Sequence, residues 1–372
     1  MVKSLAKKII QVWYRLVTPM ELRFRHHILD IRYDKAKDIL TDYSRCPDGV
    51  VYSENKMHPI FDLQIVIPAY NVEKYIKQCL DSVISQKTKY TFTAVVVDDG
   101  STDKTSEIID AYSNNEHIKI IHQENKGFSR ARNAGLSELI GNYVMFIDSD
   151  DYLCEGAIDK LLDMAYAFKA DIVEGSAFTF DDQGRIERNY EHQTSINHLD
   201  YASNLRGMPW GKVIKANLFE YLKFPEGYWY EDSIFAYCIY PFTEKKYTLS
   251  EYVYAYRKNP DGISIKGKMS KKAVDTYWIL DYLWRWSLKS NSAIDLLQRR
   301  ILDNFALSYI RTNKLCDDIT KAGFCFLRQA YLECYRGTYP LGYWYKKLDL
   351  CIRKEDYGQF KLLCSRWSYL AK

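Results

Sequence analysis

The sequence predicts an α/β fold with a mostly parallel sheet, and three observations carry that prediction. From about residue 61 onward, short apolar runs alternate with segments of helical periodicity over short connections. Each of the first four apolar runs ends in polar or acidic residues. Hydrophobic residues make up 47% of the 372 positions, which is enough for a sizeable buried core. Regular alternation of strand, loop and helix favours parallel strands joined by right-handed crossovers.

The first strand is predicted at Gln64–Pro68, where a short apolar run is halted by proline. Asn71 is then expected to open a helix. The apolar positions of this helix recur at helical spacing and are Val72, Ile76, Leu80 and Val83.

The second and third strands are predicted at Thr93–Val97 and Ile118–His122. The second is followed by Asp98–Asp103, in which glycine permits a tight turn and a Ser-Thr pair can cap the next helix. The third leads through Asn125 into a helix at Ser129–Leu136. Polar residues therefore follow successive strands at one edge of the sheet, which is where open α/β sheets bind ligands.

The fourth strand ends in the most acidic stretch of this edge. The apolar run Tyr143–Ile147 is followed by Asp148, Asp150 and Asp151. Unpaired carboxylates are costly inside a core, so we expect them to project from the end of the strand. Clustered oxygen ligands suit Mg²⁺ or Mn²⁺ carrying a phosphate, although acids that cap the next helix would give the same pattern. Together with the other strand ends, this stretch predicts a nucleotide pocket.

Five segments in this order resemble the family 2 glycosyltransferases, which have the GT-A fold. The resemblance covers roughly residues 61–265 and is to the inverting enzymes of bacterial polysaccharide and glycan assembly. The matching segments are Ile67–Asn71, Val97–Asp103, Asn125–Gly135, Phe146–Tyr152 and, as a pair downstream, Pro209–Lys215 with Phe224–Ser233.

The resemblance implies roles for individual residues in a nucleotide-sugar site. Tyr70 is expected against the base, and Asp99, together with Asp98, is expected to accept a hydrogen bond from it. Arg132 is expected to reach the nucleotide or its diphosphate, with Arg130 as the alternative. The other implied donor-site residues are Pro68, Ala69, Asn71, Glu73, Asp148 and Ser149.

A divalent metal, Mn²⁺ or Mg²⁺, is the implied cofactor, and Asp148 and Asp150 match the DxD pair of the family. Asp150 is the expected direct ligand, while Asp148 faces the ribose or a metal-bound water. Transfer with inversion also needs a carboxylate that takes the proton from the acceptor hydroxyl. The resemblance assigns this base to Asp232, with Asp151 as the rival. Acids at this position could instead begin a helix at Ser233–Tyr240, where they suit the helix dipole.

Acceptor contacts are implied at Trp210, Lys212, Tyr230 and Glu231. For Trp210 and Lys212, core packing beside an exposed lysine is an equally good interpretation. Further on, Arg257 or Lys266 could meet the diphosphate, but a plain turn explains the same residues.

Net charge divides the chain into three parts. Residues 1–32 carry +5 and residues 271–372 carry +8, so the middle of the chain, residues 33–270, carries −9. We therefore expect a basic, helical N-terminal extension (residues 1–60), a catalytic domain (61–268) and a C-terminal helical region (269–372).

The basic flanks leave several partners open. Leu5, Ile9, Trp13 and Leu16 share one helical face beside several lysines, which is typical of a helix in an anionic membrane interface. The alternative is a helix packed on the catalytic domain with solvated lysines. The C-terminal helices could hold acceptor, membrane or a second copy of the chain, the last giving a homo-oligomer.

The implied function is an inverting, metal-dependent, non-processive transferase that moves a hexosyl or N-acetylhexosaminyl group. The donor would be a nucleotide-diphosphate sugar, preferably a UDP-sugar, and the acceptor a glycan or lipid-linked saccharide. The nine scattered cysteines, without a CxxC pair or secretory segment, predict a cytoplasmic protein, with peripheral attachment to the inner face of the plasma membrane if the N-terminal helix binds lipid. No stretch approaches the ~18 apolar residues of a membrane span, which argues against a processive synthase.

Two other classes fit the sequence less well. A nucleotide-sugar nucleotidyltransferase would normally have a Gly-rich phosphate loop after the first strand, and Pro68–Asn71 is not one. A catalytically inactive nucleotide-sugar-binding module would be expected to lack the DxD pair or the base, and both are present. No nucleic-acid-binding motif is found, so no nucleic-acid partner is expected.

Overall fold

The computed structural model describes residues 2–195, 205–260, 262, 270–289, 294–334 and 341–370. The chain divides into two compact units, one of residues 48–265 and the other of residues 1–47 with 266–372. The first unit contains all the residues implied in donor, metal and base roles. The expected N-terminal extension of residues 1–60 is divided between the two units. Residues 48–60 belong to the unit that contains the sheet, and residues 1–47 belong to the unit that contains the C-terminal helices.

Half of the sheet in the first unit is parallel, as the alternating pattern predicts. Its strands are β1 (Lys56–Ala69), β2 (Phe92–Asp98), β3 (Ile118–His122) and β4 (Glu138–Phe146), in the spatial order β3-β2-β1-β4. The pairs β1–β2, β2–β3 and β1–β4 are all parallel. Their carboxyl ends therefore lie along one edge, with Ala69 opposite Asp98 and Asp98 opposite His122.

The other half of the sheet is mixed. It contains β5 (Tyr152–Leu153), β6 (Ile172–Phe180), β7 (Ile186–Tyr190), β8 (Lys212–Lys215) and β9 (Lys246–Arg257). Strand β8 runs antiparallel between β4 and β6, while β9 runs parallel to β6 and antiparallel to β5. Strand β7 pairs antiparallel with β6 away from the main path.

Helices cover the parallel half on both faces. In chain order the helices of the molecule begin with α1 (Val2–Leu22), α2 (Tyr33–Tyr43), α3 (Ile76–Ile84), α4 (Thr105–Asp110), α5 (Phe128–Leu136) and α6 (Ala157–Phe168). One face of β1 packs in the main core with α3 and α6. The other face meets α5 so closely that a Cβ added at Gly135 would lie 2.5 Å from Cγ1 of Val66.

The second unit is helical. Besides α1 and α2 it contains α7 (Asp275–Lys289), α8 (Ile294–Thr312), α9 (Asp317–Cys334), α10 (Tyr343–Arg353), α11 (Tyr357–Ser365) and α12 (Trp367–Leu370). The C-terminal helical region expected from the sequence is therefore present. Within the described residues, no helix has the length and apolar composition needed to cross a membrane.

Two helices differ from their predicted form. The helix expected to open at Asn71 begins at Ile76 instead, because Asn71 adopts a left-handed φ of 50° and its side chain binds the neighbouring loop. The helix expected at Ser233–Tyr240 is a π-helical turn at Phe235–Ile239 followed by a 3₁₀ turn at Tyr240–Phe242. Pro241 lacks the N–H that a continued α-helix would need, which explains the tighter ending.

Candidate active site

The two acids that end β2 have different partners. Asp98 accepts a hydrogen bond from the Ser101 backbone N–H at 3.1 Å, and its second oxygen lies 3.0 Å from Nδ1 of His122. Burial raises the pKa of Asp98, but the hydrogen bonds from Ser101, Ser106 and His122 outweigh it and leave this pKa below its ordinary value. Asp98 therefore acts as a charged anchor for the loop after β2.

Asp99 holds the loop before α5. Its Oδ1 accepts the backbone N–H of Lys126 at 3.0 Å and the side-chain amide of Gln123 at 2.6 Å. Its Oδ2 accepts the backbone N–H of Gly127 at 2.8 Å. Each carboxylate oxygen has two lone pairs, so these bonds fix the orientation of Asp99 and still leave acceptor capacity for a nucleotide base.

Asn71 and Glu73 tie the loop after β1 to the loop after β2. The side-chain oxygen of Asn71 accepts the Thr102 backbone N–H at 2.8 Å. Glu73 accepts the Lys104 backbone N–H at 3.0 Å. Both side chains face the neighbouring loop, so they hold the loops after β1 and β2 together.

Tyr70 follows β1 directly. Its side chain is 46% exposed, while the preceding Ala69 is buried and accepts the Asp99 backbone N–H at 2.8 Å. Pro68 lies opposite Val97, one pair before β1 and β2 end with Ala69 opposite Asp98. The geometry thus presents an exposed ring beside Asp99, an arrangement that a nucleobase could stack against.

The acidic loop after β4 divides into residues with different burial. Asp151 is almost fully buried and accepts hydrogen bonds from the Tyr254 hydroxyl and the Arg257 backbone N–H, both at 2.6 Å. Burial and the charges of Asp150 and Asp148 raise the pKa of Asp151 well above its ordinary value. A carboxyl held in this way is a structural anchor and is poorly placed to act as a base.

Asp150 faces the side of the loop next to β9. Its Oδ2 accepts a hydrogen bond from the side-chain amide of Asn259 at 2.9 Å. Burial raises the pKa of Asp150, and the hydrogen bond from Asn259 lowers it. The negative charge of Asp148 raises it further, so this pKa lies above its ordinary value. A cation beside both carboxylates would relieve this repulsion.

Arg257 binds the acidic loop that follows β4. Its Nε donates to the backbone oxygen of Asp150 at 2.9 Å, and its guanidinium also contacts Asp182 at 3.2 Å and Gln78. The rings of Tyr75 and Phe180 lie on either side of it, at 4.7 and 4.5 Å from the guanidinium carbon. Arg257 is therefore committed to the loop, and Lys266, the other residue considered for the diphosphate, lies outside the described residues.

Arg132, on α5, joins the loop after β4 to the loop that contains Glu231. Its Nη2 donates to Oδ1 of Asp148 at 2.8 Å, and its Nη1 donates to Oε1 of Glu231. Burial lowers the pKa of Arg132, but the charges of Asp148 and Glu231 outweigh it and raise this pKa, so the guanidinium stays charged. Its buried Nε has no hydrogen-bond partner among the described residues, which leaves one donor for a ligand.

The alternative arginine, Arg130, is more exposed. Its Nη1 lies 3.9 Å from Oε2 of Glu226, and about half of its side chain is solvent-accessible. Of the two, Arg132 is the one that contacts implied site residues.

The Glu231-Asp232 pair follows a strained residue. Tyr230 has a φ of 66°, a left-handed conformation that is unfavourable for an aromatic residue and typical of functional loops. Glu231 is buried, and burial raises its pKa to about 7. The positive charge of Arg132 lowers this pKa, while the negative charge of Asp232 raises it further. Asp232 is only half-buried, so its carboxylate is the more accessible of the two.

Trp210 and Lys212 lie in the core. Trp210 is buried and stacks on Tyr254, with ring centroids 4.8 Å apart. Lys212 has no exposed surface, pairs with Glu174 at 2.5 Å and donates to the Tyr240 hydroxyl at 2.9 Å. The exposed lysine considered from the sequence is thus absent from this position, and both residues pack the sheet instead of facing an acceptor.

The carboxylates of this edge fit a metal that is shared with a substrate. Within the described part of the chain, no three His, Cys, Asp or Glu side chains form a cluster able to hold a metal by themselves. Mg²⁺ is commonly held by one or two carboxylates together with substrate phosphates, so a pair is sufficient. Asp148 and Asp150 would supply hard oxygen ligands, and a bound cation would relieve the repulsion between their charges.

Comparison with known proteins supports the family resemblance for one segment of the chain. Residues 64–222 match the profile of the family described as Glycosyl transferase family 2. The match assigns this segment, and not the whole chain, to glycosyltransferase family 2. The segment contains the second half of β1, all of β2 to β8 and the acidic loop, and it supports a glycosyltransferase domain in the first unit.

Curated relatives come from bacteria. Glycosyltransferase GlyA of Streptococcus pneumoniae is 35% identical over 218 residues, which cover 54% of this chain and 31% of that protein. Glycosyltransferase GlyG of the same organism is 28% identical over 249 residues, which cover 62% of this chain and 80% of GlyG. The chain therefore spans about a third of the length of GlyA and most of the length of GlyG.

A solved structure confirms the fold of the glycosyltransferase domain as GT-A. It is the crystal structure of S. aureus TarS residues 1–349 in complex with UDP-GlcNAc, with a TM-score of 0.67 and 20% identity. The match covers 82% of this chain and 91% of that chain. At this level of identity the likeness concerns the fold alone.

Three residues on β9 or just after it contact the acidic loop. Of these, only Arg257 was considered for the site from the sequence, as a possible contact of the diphosphate. Tyr254, the Arg257 backbone and Asn259 bind Asp151 and Asp150, more than a hundred residues away along the chain. The alternation of apolar and aromatic residues in this stretch indicates a strand. It does not show that the strand lies against the acidic loop, because that depends on the order of strands in the sheet.

Proposed function

We propose that this chain is an inverting, metal-dependent, non-processive glycosyltransferase that moves one sugar from a nucleotide-diphosphate sugar to a hydroxyl group. The observation that carries the proposal is the bridge formed by Arg132 between Asp148 and Glu231. Through one guanidinium it links Asp148, which is implied in donor binding, to Glu231, the neighbour of the implied base Asp232. Neither a nucleotidyltransferase nor a binding module requires that combination.

On the donor side, the base stacks on Tyr70 and donates a hydrogen bond to Asp99. Asp99 is preorganised for this by the backbone N–H groups of Lys126 and Gly127. Arg132 offers its unpaired Nε to the nucleotide or diphosphate. The crystal structure of TarS with UDP-GlcNAc supports a UDP-sugar as the first donor to test.

Asp150 and Asp148 would hold Mn²⁺ or Mg²⁺. When bound, the metal neutralises charge on the leaving diphosphate as its bond to the sugar breaks. Asn259 orients the Asp150 carboxylate, and Arg257 fixes the backbone that carries it. Asp151 contributes by holding the loop through Tyr254.

On the acceptor side, Asp232 takes the proton from the attacking hydroxyl group. The hydroxyl oxygen bonds to the anomeric carbon on the face opposite the diphosphate, and the nucleoside diphosphate leaves with the bonding electrons, which inverts the configuration. Glu231 is held by Arg132 and positions the loop beside Asp232. Tyr230 and Glu231 remain the implied acceptor contacts, whereas the burial of Trp210 and Lys212 favours structural roles for those two.

The acceptor that we propose is a growing glycan or a lipid-linked saccharide. The support comes from the family resemblance and from similar bacterial proteins that are named as glycosyltransferases. A lipid-linked acceptor would place the enzyme at the inner face of the plasma membrane.

The test combines a panel of nucleotide-sugars with a variant of the base. Purified protein is screened with Mn²⁺ for thermal stabilisation and for release of nucleoside diphosphate. We expect stabilisation and turnover with one UDP-sugar. In Asp232→Asn, turnover should fall at least about a hundredfold, the scale of general-base catalysis, while donor stabilisation is retained.

Asp318→Asn is the matched control, because the Asp318 side chain is 80% exposed and lies on α9 in the other unit. It should turn over like the unmodified protein. Full turnover in Asp232→Asn would remove Asp232 as the base. Conversion of a nucleotide-sugar and added pyrophosphate into a nucleoside triphosphate and a sugar 1-phosphate would indicate a nucleotidyltransferase.

A further inference from the structure

Helix α1 turns its apolar side away from the unit to which it belongs. Four large apolar residues on one side of the helix are exposed, namely Ile9, Trp13, Leu16 and Met20. Their spacings of four, seven and eleven residues correspond to one, two and three turns, so they form one continuous stripe. Solvent exposure of such a stripe is unusual for a helix of a globular protein, which normally buries its apolar side.

The opposite side of α1 is the side that packs. Thr18 lies nine residues, or two and a half turns, after Ile9 and is fully buried. Arg366 donates to the Thr18 hydroxyl at 3.0 Å and also pairs with Glu21. The Tyr14 ring lies 5.3 Å from that of Tyr369, between ring centroids. Polar and aromatic contacts with the last helices therefore hold α1, and they leave the apolar stripe outside.

The contacts that attach α1 to its own unit do not involve the residues of the apolar stripe. The C-terminal end of α1 is fixed in the same way, because the Leu22 backbone oxygen accepts a hydrogen bond from Gln359 at 2.8 Å. The interpretation of α1 as a helix that buries its apolar face against its own unit is therefore not supported for Ile9, Trp13, Leu16 and Met20.

The positive charge beside the stripe indicates which kind of partner would cover it. Residues 1–32 contain seven lysines and arginines and two acids. Lys8 and Arg15 lie on one flank of the stripe, seven residues apart, and both are exposed. Cations beside an exposed stripe that includes tryptophan complement an anionic lipid surface, with the aromatic ring at the headgroup level.

We propose that α1 lies in the interface of an anionic membrane, with Ile9, Trp13, Leu16 and Met20 inserted among the lipids. The helix binds parallel to the surface, and its contacts to Arg366 and Tyr369 connect the rest of the unit to the bilayer. This attachment would bring a membrane-linked acceptor within reach of the enzyme. It does not depend on the proposed transfer reaction, because lipid binding is measured without donor or acceptor.

The test uses the full chain and two matched double variants. Ile9→Glu with Leu16→Glu places charges in the stripe, where the two side chains are 61% and 68% exposed. Ile186→Glu with Ile60→Glu makes the same kind of change in the glycosyltransferase domain, at side chains that are 62% and 68% exposed. Because all four positions are exposed, neither variant should lose helical circular dichroism or shift its unfolding temperature appreciably.

Binding is measured by co-sedimentation with vesicles of phosphatidylcholine alone or mixed with phosphatidylglycerol. We expect the unmodified protein and the Ile186/Ile60 variant to bind the anionic vesicles, and the Ile9/Leu16 variant to bind at least tenfold more weakly. Added NaCl should weaken binding, since screening reduces the attraction between cations and lipid. Equal binding by both variants, no binding by the unmodified protein, or no effect of salt would overturn the proposal.

A second copy of the chain is the competing occupant, and the same proteins distinguish it. Sedimentation velocity without lipid should show the unmodified protein and both variants at the same mass. A dimer that the Ile9/Leu16 variant alone abolishes, in a protein that does not bind vesicles, would assign the stripe to self-association.

Discussion

At the scale of single residues, three aspartates within four positions do different work because their burial differs. Asp151 is enclosed and accepts two hydrogen bonds, Asp150 is turned toward Asn259, and Asp148 pairs with Arg132. The sequence favours Asp150 as the metal ligand from the family pattern alone. The partners of each carboxylate supply a physical reason, since Asp151 is already satisfied within the protein.

Asp150→Asn is expected to separate donor binding from stability. At neutral pH the ionised Asp150 is penalised by burial and by Asp148, which is why its pKa is raised. Removing this charge should therefore leave the free energy of unfolding unchanged or slightly higher. Donor affinity in Mn²⁺ should fall at least about tenfold, measured by calorimetry with a UDP-sugar, because a metal ligand is lost.

Asp151→Asn is the matched comparison one position along the chain. Its amide oxygen can accept the Arg257 backbone N–H, but its NH2 group then faces the Tyr254 hydroxyl, whose hydrogen loses its acceptor. A buried polar group left unpaired costs about 1–3 kcal/mol. Chemical denaturation should show that loss in Asp151→Asn and not in Asp150→Asn. The reverse order of stabilities would contradict the division of roles between the two residues.

At the scale of elements, β8 shows how one strand can carry a charged residue into the core. Lys212 and Glu174 face each other between β8 and β6, and both are fully buried. Burial raises the pKa of Glu174, but the charge of Lys212, the hydrogen bond from His192 and the charge of Arg206 outweigh it and leave this pKa lowered. The ion pair thus serves the junction between the parallel and mixed halves of the sheet.

Lys212→Met should destabilise the glycosyltransferase domain, because it leaves a buried carboxylate with fewer partners. Removing one member of a buried pair costs about 3–5 kcal/mol, and urea denaturation should report a loss of that order. Lys215→Met is the control on the same strand, since Lys215 is exposed. If Lys212→Met keeps full stability and instead weakens acceptor binding, the acceptor role implied by the sequence would be favoured after all.

Strand β3 ends in a histidine that should make stability depend on pH. The two ring nitrogens of His122 lie 3.0 Å from a carboxylate oxygen of Asp98 and 2.9 Å from one of Asp110. The hydrogen bond to Asp98 raises the pKa of His122, and Asp110 raises it further. Desolvation lowers this pKa but is outweighed. The folded state therefore holds the proton more tightly than the unfolded state. This contribution is fully present below the ordinary histidine pKa of about 6.5 and is lost as pH rises through the folded value.

His122→Gln should accordingly lower the unfolding temperature more at pH 6 than at pH 8.5, as measured by differential scanning calorimetry. His58→Gln, at an exposed position of β1, controls for the loss of a histidine as such. A His122→Gln effect that is equal at both pH values would show that the two aspartates do not stabilise a protonated ring.

At the scale of the whole molecule, the boundary of the glycosyltransferase domain lies before β1. Val51 is buried, and its backbone oxygen accepts the Lys223 N–H at 2.8 Å. The Asn55 side chain donates to the Phe219 and Leu222 backbone oxygens. These contacts attach residues 48–60 to the segment that leads into the Glu231 loop.

A fragment of residues 48–265 is therefore expected to unfold cooperatively and to bind donor with Mn²⁺. A fragment of residues 61–265 lacks these contacts and the pairing of Lys56 and Met57 with β4, so it should unfold at a lower temperature. Thermal unfolding of the two fragments, with and without a UDP-sugar, makes the comparison. Equal stability of the two fragments would show that residues 48–60 add nothing to the domain.

The sequence alone determined the features that depend on local patterns. Apolar runs and helical spacing located the four parallel strands and the helices between them, since burial and periodicity are properties of neighbouring residues. The order of the motifs indicated the family, and the match of residues 64–222 to its profile confirms the resemblance. The helical nature of the C-terminal region and of α1 was also predictable from periodicity.

Only the tertiary structure decided what each polar side chain faces. It placed Lys212 in the core, turned the apolar stripe of α1 outward, and brought Tyr254 and Asn259 to the acidic loop. The physical reason is that burial and pairing of charges depend on contacts between residues far apart in the chain. Local sequence specifies that a strand or helix forms, whereas the packing of the elements against one another specifies which carboxylates are used up inside the protein and which can meet a ligand.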